Sequence, residues 1–445
     1  MKLLERVTQH SGTALILEDT KVSYSELNAL IASEERNVQA GEVCALVMRN
    51  NLKSIVSYLA CLKTGAPVIL LNDYNQLQNI QDSLSPDRVF DGSIWKELSS
   101  SIKSQPHPDL RLLLSTSGST GSPKMVKLSG QNLDANADSI CDYLSISSSD
   151  RTITSLPLTY SFGLSLLHSY LWAGASLVVT EAAITERKFW QAMKAYNVTS
   201  FSGVPFHYET LLKLRFISMD LPHLKVLTQA GGKLNNSLLE QFAQYAEETD
   251  RRFFVMYGQT EAAPRIAYLP PENLIDKIGS IGRSIPGGHL YLIDDDGSLI
   301  EDDNVEGELV YEGQNVMMGY ASSRHELESV PDYKPLKTGD LAYKDNDGFF
   351  FIQGRKKRYI KMQGRRFGLE HLEHLLHVIS VTAICIGQED CLRVFTVNEN
   401  MKEKAKELLL SMSIHPMYFK IIVLDSIPHK TNGKVDYQVL NGYLK

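Results

Sequence analysis

Leu114-Ser115-Thr116-Ser117-Gly118-Ser119-Thr120-Gly121-Ser122-Pro123-Lys124 lies between two apolar, strand-like runs, Leu110–Leu114 and Met125–Leu128. Glycine lets the backbone bend until several N–H groups converge on one anion, and the hydroxyls add further donors. Lys124 supplies a fixed positive charge with no acidic neighbour in the loop. A solvated Ser/Gly linker has the same composition, but a linker does not sit between two strands. The spacing also fails the Gly-x4-Gly-Lys-Ser/Thr pattern of a P-loop, because Pro123 precedes the lysine and Met125 follows it. The stretch therefore predicts a phosphate-binding turn serving a nucleotide chemistry of another kind.

Working outward, short β runs alternate with helical lengths. Val43–Val47, Val68–Leu71, Ser176–Thr180, Ser200-Phe201, Lys225–Thr228 and Phe253–Tyr257 are such runs. Ser23 with Glu26 three residues on forms a capping-box signature, and a helix is expected from about Glu186 to Tyr196. Strands spaced by helices predict βαβ units and largely parallel sheets, in two α/β subdomains before residue 265. From Gly279 to Ile352 the pattern becomes β runs broken by Gly/Asp turns, a small β subdomain. Beyond Gly354 a basic stretch leads into a compact α+β segment. The expected fold is thus α/β, with a large N-terminal domain (residues 1–354) and a small, mobile α+β C-terminal domain (residues 355–445). A length of 445 residues suits two to three folding units of about 150 residues each.

A net charge of -7 argues against a general nucleic-acid or anionic-membrane binder. The five cysteines, Cys44, Cys61, Cys141, Cys385 and Cys391, show no CxxC spacing and read as reduced thiols. The N-terminus turns polar too soon for a signal peptide, and Lys63 and Pro67 interrupt the longest apolar stretch, Ile55–Leu71. A soluble, cytoplasmic protein is expected. From Arg355 to Arg366, seven of twelve residues are cationic, which fits a solvated hairpin or a phosphate-facing hinge. His371, His374 and His377 recur on one expected helix, Leu369–Val378, and read as a polar face, not a metal site.

Further motifs follow the loop in order: Gly231-Gly232-Lys233, Tyr257-Gly258-Gln259-Thr260-Glu261, Thr338-Gly339-Asp340, Gly354-Arg355 with Lys357 and Lys361, and Pro428-His429-Lys430-Thr431-Asn432-Gly433-Lys434. Together they resemble the adenylate-forming superfamily of acyl-CoA synthetases, peptide-synthetase adenylation domains and luciferases, over about residues 20 to 437. Thr116 to Lys124 matches that family's phosphate-loop signature without departure. The resemblance implies that Thr116, Ser117, Gly118, Ser119, Thr120, Gly121 and Lys124 cradle the ATP phosphates. It places Tyr257 against adenine, with Gly231, Gly232 and Lys233 on the other side and Gly258 and Gln259 alongside. Asp340, in a turn after Thr-Gly, would accept the ribose hydroxyls, and Arg355 would contact ribose or phosphate. Thr260 would touch the α-phosphate. Glu261 would bind Mg2+ through oxygen, as a hard cation requires. Lys434 would be catalytic, arriving as charge builds on the α-phosphate, and Lys357 would be the hinge.

The same resemblance assigns Leu156–Leu164 to the acyl pocket, with Tyr160, Ser161, Gly203, Val204 and Gln229 as wall or floor. Amino-acid-activating members carry Asp where this chain has Ser161, so a free α-amino acid is disfavoured and a neutral-tailed carboxylic acid, aliphatic or aryl, is expected. Tyr160 stands where many CoA ligases carry His, and His371 where the family more often shows Glu. The implied activity is an AMP-forming acid–thiol ligase, similar to stand-alone acyl-CoA ligases. Acid and Mg-ATP would give an acyl-adenylate, and a thiol would then take the acyl group. Coenzyme A is the first expected acceptor, because no carrier module follows Lys434. An acyl-carrier protein with its phosphopantetheine arm is the alternative, and a nucleotide-binding protein without turnover is a second.

Overall fold

The computed structural model describes the chain apart from residues 19, 99–103, 116–123, 331–333, 357, 363–364, 389, 413, 431–434 and 445. Its contacts separate two units, Met1–His289 with Tyr311–Leu336, and Leu290–Val310 with Lys337–Lys445.

The first unit contains two sheets. In the seven-stranded sheet, Cys44–Val47 pairs in parallel with Val68–Leu71 and Arg88–Phe90, and Val68–Leu71 pairs in parallel with Leu110–Ser115. Cys44–Val47 and Val68–Leu71 are buried at every position, as expected of parallel strands covered on both faces. Leu110–Ser115 and Met125–Ser129 run antiparallel, with Ser115 opposite Met125. The nine-stranded sheet has a parallel centre, in which Val226–Gln229 lies between Ser200–Gly203 and Arg252–Gly258. It turns antiparallel where Arg252–Gly258 meets Arg265–Leu269.

The helix Ser161–Trp172 is buried along its whole length and shares one apolar core with leucines of both sheets. A helix apolar nearly all round is stable only in such a setting. Truncating Leu167 or Leu171, both 0% exposed, to alanine would cost about 3 kcal/mol each. Gly163 is required just after the helix start, because a Cβ there would lie 2.2 Å from the Pro157 carbonyl oxygen. That close approach fixes how Tyr160 and Ser161 enter the site.

A five-stranded sheet, most of whose residues belong to the second unit, runs Leu299–Ile300, Gly288–Ile293, Gly307–Gly313, Leu336–Lys344 and Phe350–Arg355 in spatial order. The second unit also holds the hairpin Tyr359–Met362 with Arg365–Gly368. A three-stranded sheet follows, Ala383–Gln388, Cys391–Thr396 and Phe419–Val423, packed with the helices Leu369–Val378 and Glu399–Ser411 around one apolar core.

Two expectations need correction. The β-rich stretch 279–352 is not one subdomain, because Tyr311–Leu336 returns to the first unit. There Tyr320–Ala321 adds an edge strand opposite Val126 and Met125. Hydrogen bonds from this segment to residues 261–265 hold it, and no spacing in the sequence announces them. Thr338-Gly339-Asp340 is likewise not a turn but part of the strand Leu336–Lys344, in which Gly339 takes φ +73°.

Among the described residues no helix is long and apolar enough to cross a membrane, and no cluster of His, Cys, Asp and Glu could hold a metal by itself. Cys44, Cys61 and Cys385 are buried.

Candidate active site

The phosphate-loop residues Thr116, Ser117, Gly118, Ser119, Thr120 and Gly121 lie outside the described residues, as do Lys357 and Lys434. The frame around the loop is described. Its ends are pinned by the Ser115–Met125 pair, so the loop leaves and rejoins one antiparallel ladder.

At the loop's exit, the Lys124 ammonium lies 6.0 Å from the centre of the Tyr320 ring. The Tyr320 hydroxyl donates to Glu261 Oε1 at 2.9 Å. Tyr320 opposes Val126 across the edge strand, which is why its ring stands beside Lys124. Burial, followed by the charge of Glu261, raises the Tyr320 phenol above its ordinary pKa, so it stays a donor. Glu261 sits in the short turn Thr260–Ala262, and its carbonyl accepts from the Met317 N–H at 2.9 Å.

A buried asparagine holds that turn in place. Asn315 Nδ2 donates to the carbonyls of Ala262 and Arg265, both at 2.6 Å, and its Oδ1 accepts from Tyr311 at 2.8 Å. Gly258 closes the other side, since a Cβ would lie 1.8 Å from the Pro264 carbonyl oxygen. Neither Tyr320 nor Asn315 was flagged by the sequence. Asn315, in a Gly-Gln-Asn segment, reads as an ordinary turn residue.

The acyl residues gather next to this turn. Ser161 Oγ is 3.4 Å from Thr260 Oγ1. Gly231 takes φ +85°, and a Cβ on it would lie 2.5 Å from the Tyr160 hydroxyl oxygen and 3.1 Å from Val204 Cγ1. The backbone of Gly231, Tyr160 and Val204 therefore share one wall. Gln229 is buried, and its Nε2 donates to the Gly232 carbonyl at 2.7 Å, which shapes the Gly231-Gly232 turn. A Cβ on Gly203 would lie 3.0–3.1 Å from Phe201, His207 and Tyr208, so an aromatic cluster packs on that side of its backbone. Burial pushes the Tyr160 phenol up to about 12, against a smaller downward pull from Arg265. Tyr257 lies in the strand Arg252–Gly258, Lys233 is exposed, and the Gln259 Nε2 is buried with no hydrogen-bond acceptor among the described residues.

In the second unit, Asp340 and Arg355 are cross-strand partners. Arg355 Nε meets Asp340 Oδ1 at 3.0 Å, and the aspartate is 4% exposed. The Asp340 N–H donates to Thr338 Oγ1 at 3.1 Å, while that hydroxyl donates to the Leu309 carbonyl at 2.8 Å. Other cations of the basic stretch also have acidic partners. Lys356 pairs with Glu308 and Asp295, and Arg358 holds both carboxylate oxygens of Glu373.

Residues 80–321 match the family described as AMP-binding enzyme. The 2-succinylbenzoate–CoA ligase of Bacillus subtilis is 27% identical over 466 residues, covering 95% of this chain and 93% of that protein. The D-alanine–D-alanyl carrier protein ligase of Bacillus licheniformis is 25% identical and covers 98% of both chains. Among solved structures, O-succinylbenzoate coenzyme A synthetase from Bacillus subtilis in complex with AMP superimposes with a TM-score of 0.80 at 25% identity, covering 98% of this chain and 96% of that one. The same enzyme in complex with ATP and magnesium ion gives 0.79. A match across more than half the chain, on the residues that converge around Glu261, means that the protein belongs to the AMP-binding enzyme family.

Proposed function

We propose that this protein joins a carboxylic acid to ATP, releasing pyrophosphate and forming an acyl-adenylate, and then passes the acyl group to a thiol, first of all that of coenzyme A. The observation that carries this reading is the Lys124–Tyr320–Glu261 arrangement at the exit of the phosphate turn. It places a cation for phosphate oxygens beside a carboxylate oriented by a phenol.

The residues fit the nucleotide and its metal. Glu261 is a hard oxygen donor, as Mg2+ requires, and Gln259 Nε2, two residues before it, is a buried donor with no acceptor among the described residues. When bound, Mg2+ would offset phosphate charge. Asp340 is suited to ribose hydroxyls because a buried carboxylate accepts two hydrogen bonds, and Arg355 holds it in register. Thr260, 3.4 Å from Ser161, would touch the α-phosphate beside the acyl pocket. Lys434 supplies the transition-state cation. Charge that counts only as two anions approach lowers the barrier without tightening ground-state binding. Lys357, taken as the hinge, would let that lysine arrive and leave.

Coenzyme A is put first because most of the similar relatives, the 2-succinylbenzoate–CoA ligases among them, are CoA ligases, with a carrier protein ligase as the alternative. The basic stretch from Arg355 to Arg366 would suit either the 3′-phosphate of coenzyme A or an acidic carrier protein. A free amino acid is disfavoured because Ser161 is neutral and buried. Its ammonium group would be desolvated there without a counter-charge. A cytoplasmic location fits a substrate set of ATP and coenzyme A. The test is pyrophosphate release over a panel of acids, with and without coenzyme A. Release that needs an added acid supports the reading, and ATP hydrolysis indifferent to every acid would refute it.

A further inference from the structure

Buried asparagines surround the turn that carries Thr260 and Glu261. Asn136 and Asn315 are 2% and 3% exposed, and Asn132 is 7% exposed. Asn132 and Asn136 lie one turn apart on the helix Gly130–Leu144, about 6 Å along its axis. With the Asn136 amide oriented so that both its groups are satisfied, Nδ2 donates to the Ala263 carbonyl at 2.6 Å and Oδ1 accepts from the Arg265 N–H at 3.1 Å. Asn315, from the opposite side, takes the carbonyls of Ala262 and Arg265. The chain leaving Glu261 is therefore gripped between a helix and the returning segment.

Asn132 closes the circuit. Its Nδ2 donates to the carbonyls of Gln314 and Val316, the neighbours of Asn315, at 2.7 and 2.8 Å. Its Oδ1 accepts from the Ser129 N–H, while the Ser129 hydroxyl caps the helix by accepting from the Asn132 N–H. Ser129 ends the strand Met125–Ser129, which begins one residue after Lys124. One helix thus continues the strand that follows Lys124 and, through Asn136, holds the turn that follows Glu261. Packing alone does not call for these amides, since Ala137 and Ile140 on the same helix are each 1% exposed and apolar. What the amides hold is a backbone that does not hold itself. Ala263 takes φ +58°, which costs a residue with a Cβ about 1–2 kcal/mol, and such a conformation persists only where the surroundings over-determine it.

Resting on the adenylation reading above, we infer that Asn136 is a positioning residue for Glu261. Through the main chain of Ala263 and Arg265 it sets the separation of Glu261 from Lys124, the groups assigned to the metal and to the phosphates. Asn136 touches neither ligand. Its loss would leave the phosphate turn in place and let the carboxylate drift, so the defect belongs to metal-assisted binding of ATP and not to ATP binding as such.

The test is ATP binding by the whole protein, measured by calorimetry with Mg2+ and with EDTA. Wild-type protein should bind ATP more tightly with Mg2+. In Asn136→Ala that tightening should shrink by about tenfold, the low end for removing a partner that orients a metal ligand, while the affinity in EDTA stays unchanged. Ile140→Ala, one turn further along the same helix, should lower the urea midpoint yet leave the Mg2+ effect intact, which separates lost position from lost stability. Should Asn136→Ala fail to fold, Asn136→Asp decides by the same ratio, because it keeps the shape and the acceptor for the Arg265 N–H and loses the donor to Ala263. A wild-type Mg2+ effect in the Asn136 variants, an equal loss in Ile140→Ala, or wild-type affinity indifferent to Mg2+ would overturn the inference. None of these measurements involves the acid, so the adenylation reading stands or falls separately, on acid-dependent pyrophosphate release.

Discussion

The Tyr320 hydroxyl donates a 2.9 Å hydrogen bond to Glu261 across 59 positions of sequence. The bond ties the edge strand beside the phosphate turn to the carboxylate assigned to Mg2+, and it engages Oε1 of Glu261. Removing a partner that orients a metal ligand typically costs 10- to 100-fold in metal affinity or activity. Tyr320→Phe should therefore raise the Mg2+ concentration for half-maximal pyrophosphate release by about tenfold. A magnesium titration of both proteins checks this, and an unchanged midpoint would remove Tyr320 from the site.

Lys434 is assigned to the adenylation step alone. Lys434→Ala should slow adenylate formation by on the order of 10²–10³-fold, as for loss of one transition-state donor. It should slow thiol transfer from supplied acyl-adenylate far less. Single-turnover measurements of the two half-reactions separate them, and equal losses in both would refute the assignment.

Gly231 is needed for two reasons, its φ of +85° and the 2.5 Å approach of Tyr160 to where a Cβ would stand. Gly231→Ala should cost about 1–2 kcal/mol through the backbone alone, and push Tyr160 into the acyl wall, raising KM for the acid. Tyr160→Phe in the same chain removes the clashing oxygen and should recover part of the KM but not the backbone cost. A double-mutant cycle in denaturant midpoint and KM would detect this, and strict additivity in KM would contradict the shared wall.

His168 predicts an acid-sensitive fold. It is stacked against Tyr58 and hydrogen-bonded to its hydroxyl at 2.9 Å, and burial holds its pKa down to about 3. Its unfolded value is about 6.5, so between these values the unfolded chain binds the proton and the native protein does not. Stability should be fully present above about pH 6.5 and fall as the pH drops towards 3. Urea midpoints at pH 7 and pH 5 should differ, and His168→Phe should shrink that difference while lowering stability at pH 7. An equal pH dependence in both proteins would exclude His168 as its source.

The central strands of both large sheets were legible because their apolar runs are separated by helical lengths, whereas Thr13–Ile16, Arg151–Ile153 and Arg265–Leu269 of the nine-stranded sheet and Arg88–Phe90 of the seven-stranded one were not. The helix Leu369–Val378 was also legible, with its bounds. The antiparallel turn-back at Ser115–Met125 was less so, although a nine-residue connection is too short for a parallel crossover. The return of residues 311–336 left no signal, because it depends on Asn315 and Tyr320 reaching residues distant in sequence. The burial of Arg265, 2% exposed, left no signal for a related reason. Arginine is normally exposed, and in Ala-Ala-Pro-Arg-Ile nothing tells a buried cation from a strand-edge one. The motif residues were found through resemblance, whereas what orients them became visible only in three dimensions.

Acid-dependent exchange of labelled pyrophosphate into ATP, in the absence of any thiol, tests the central claim most directly. The account predicts exchange that requires Mg2+ and a carboxylic acid, and that falls by more than about 100-fold in Glu261→Gln, in line with the upper range for a disturbed metal ligand. No exchange with any acid, or exchange that survives Glu261→Gln, would contradict it.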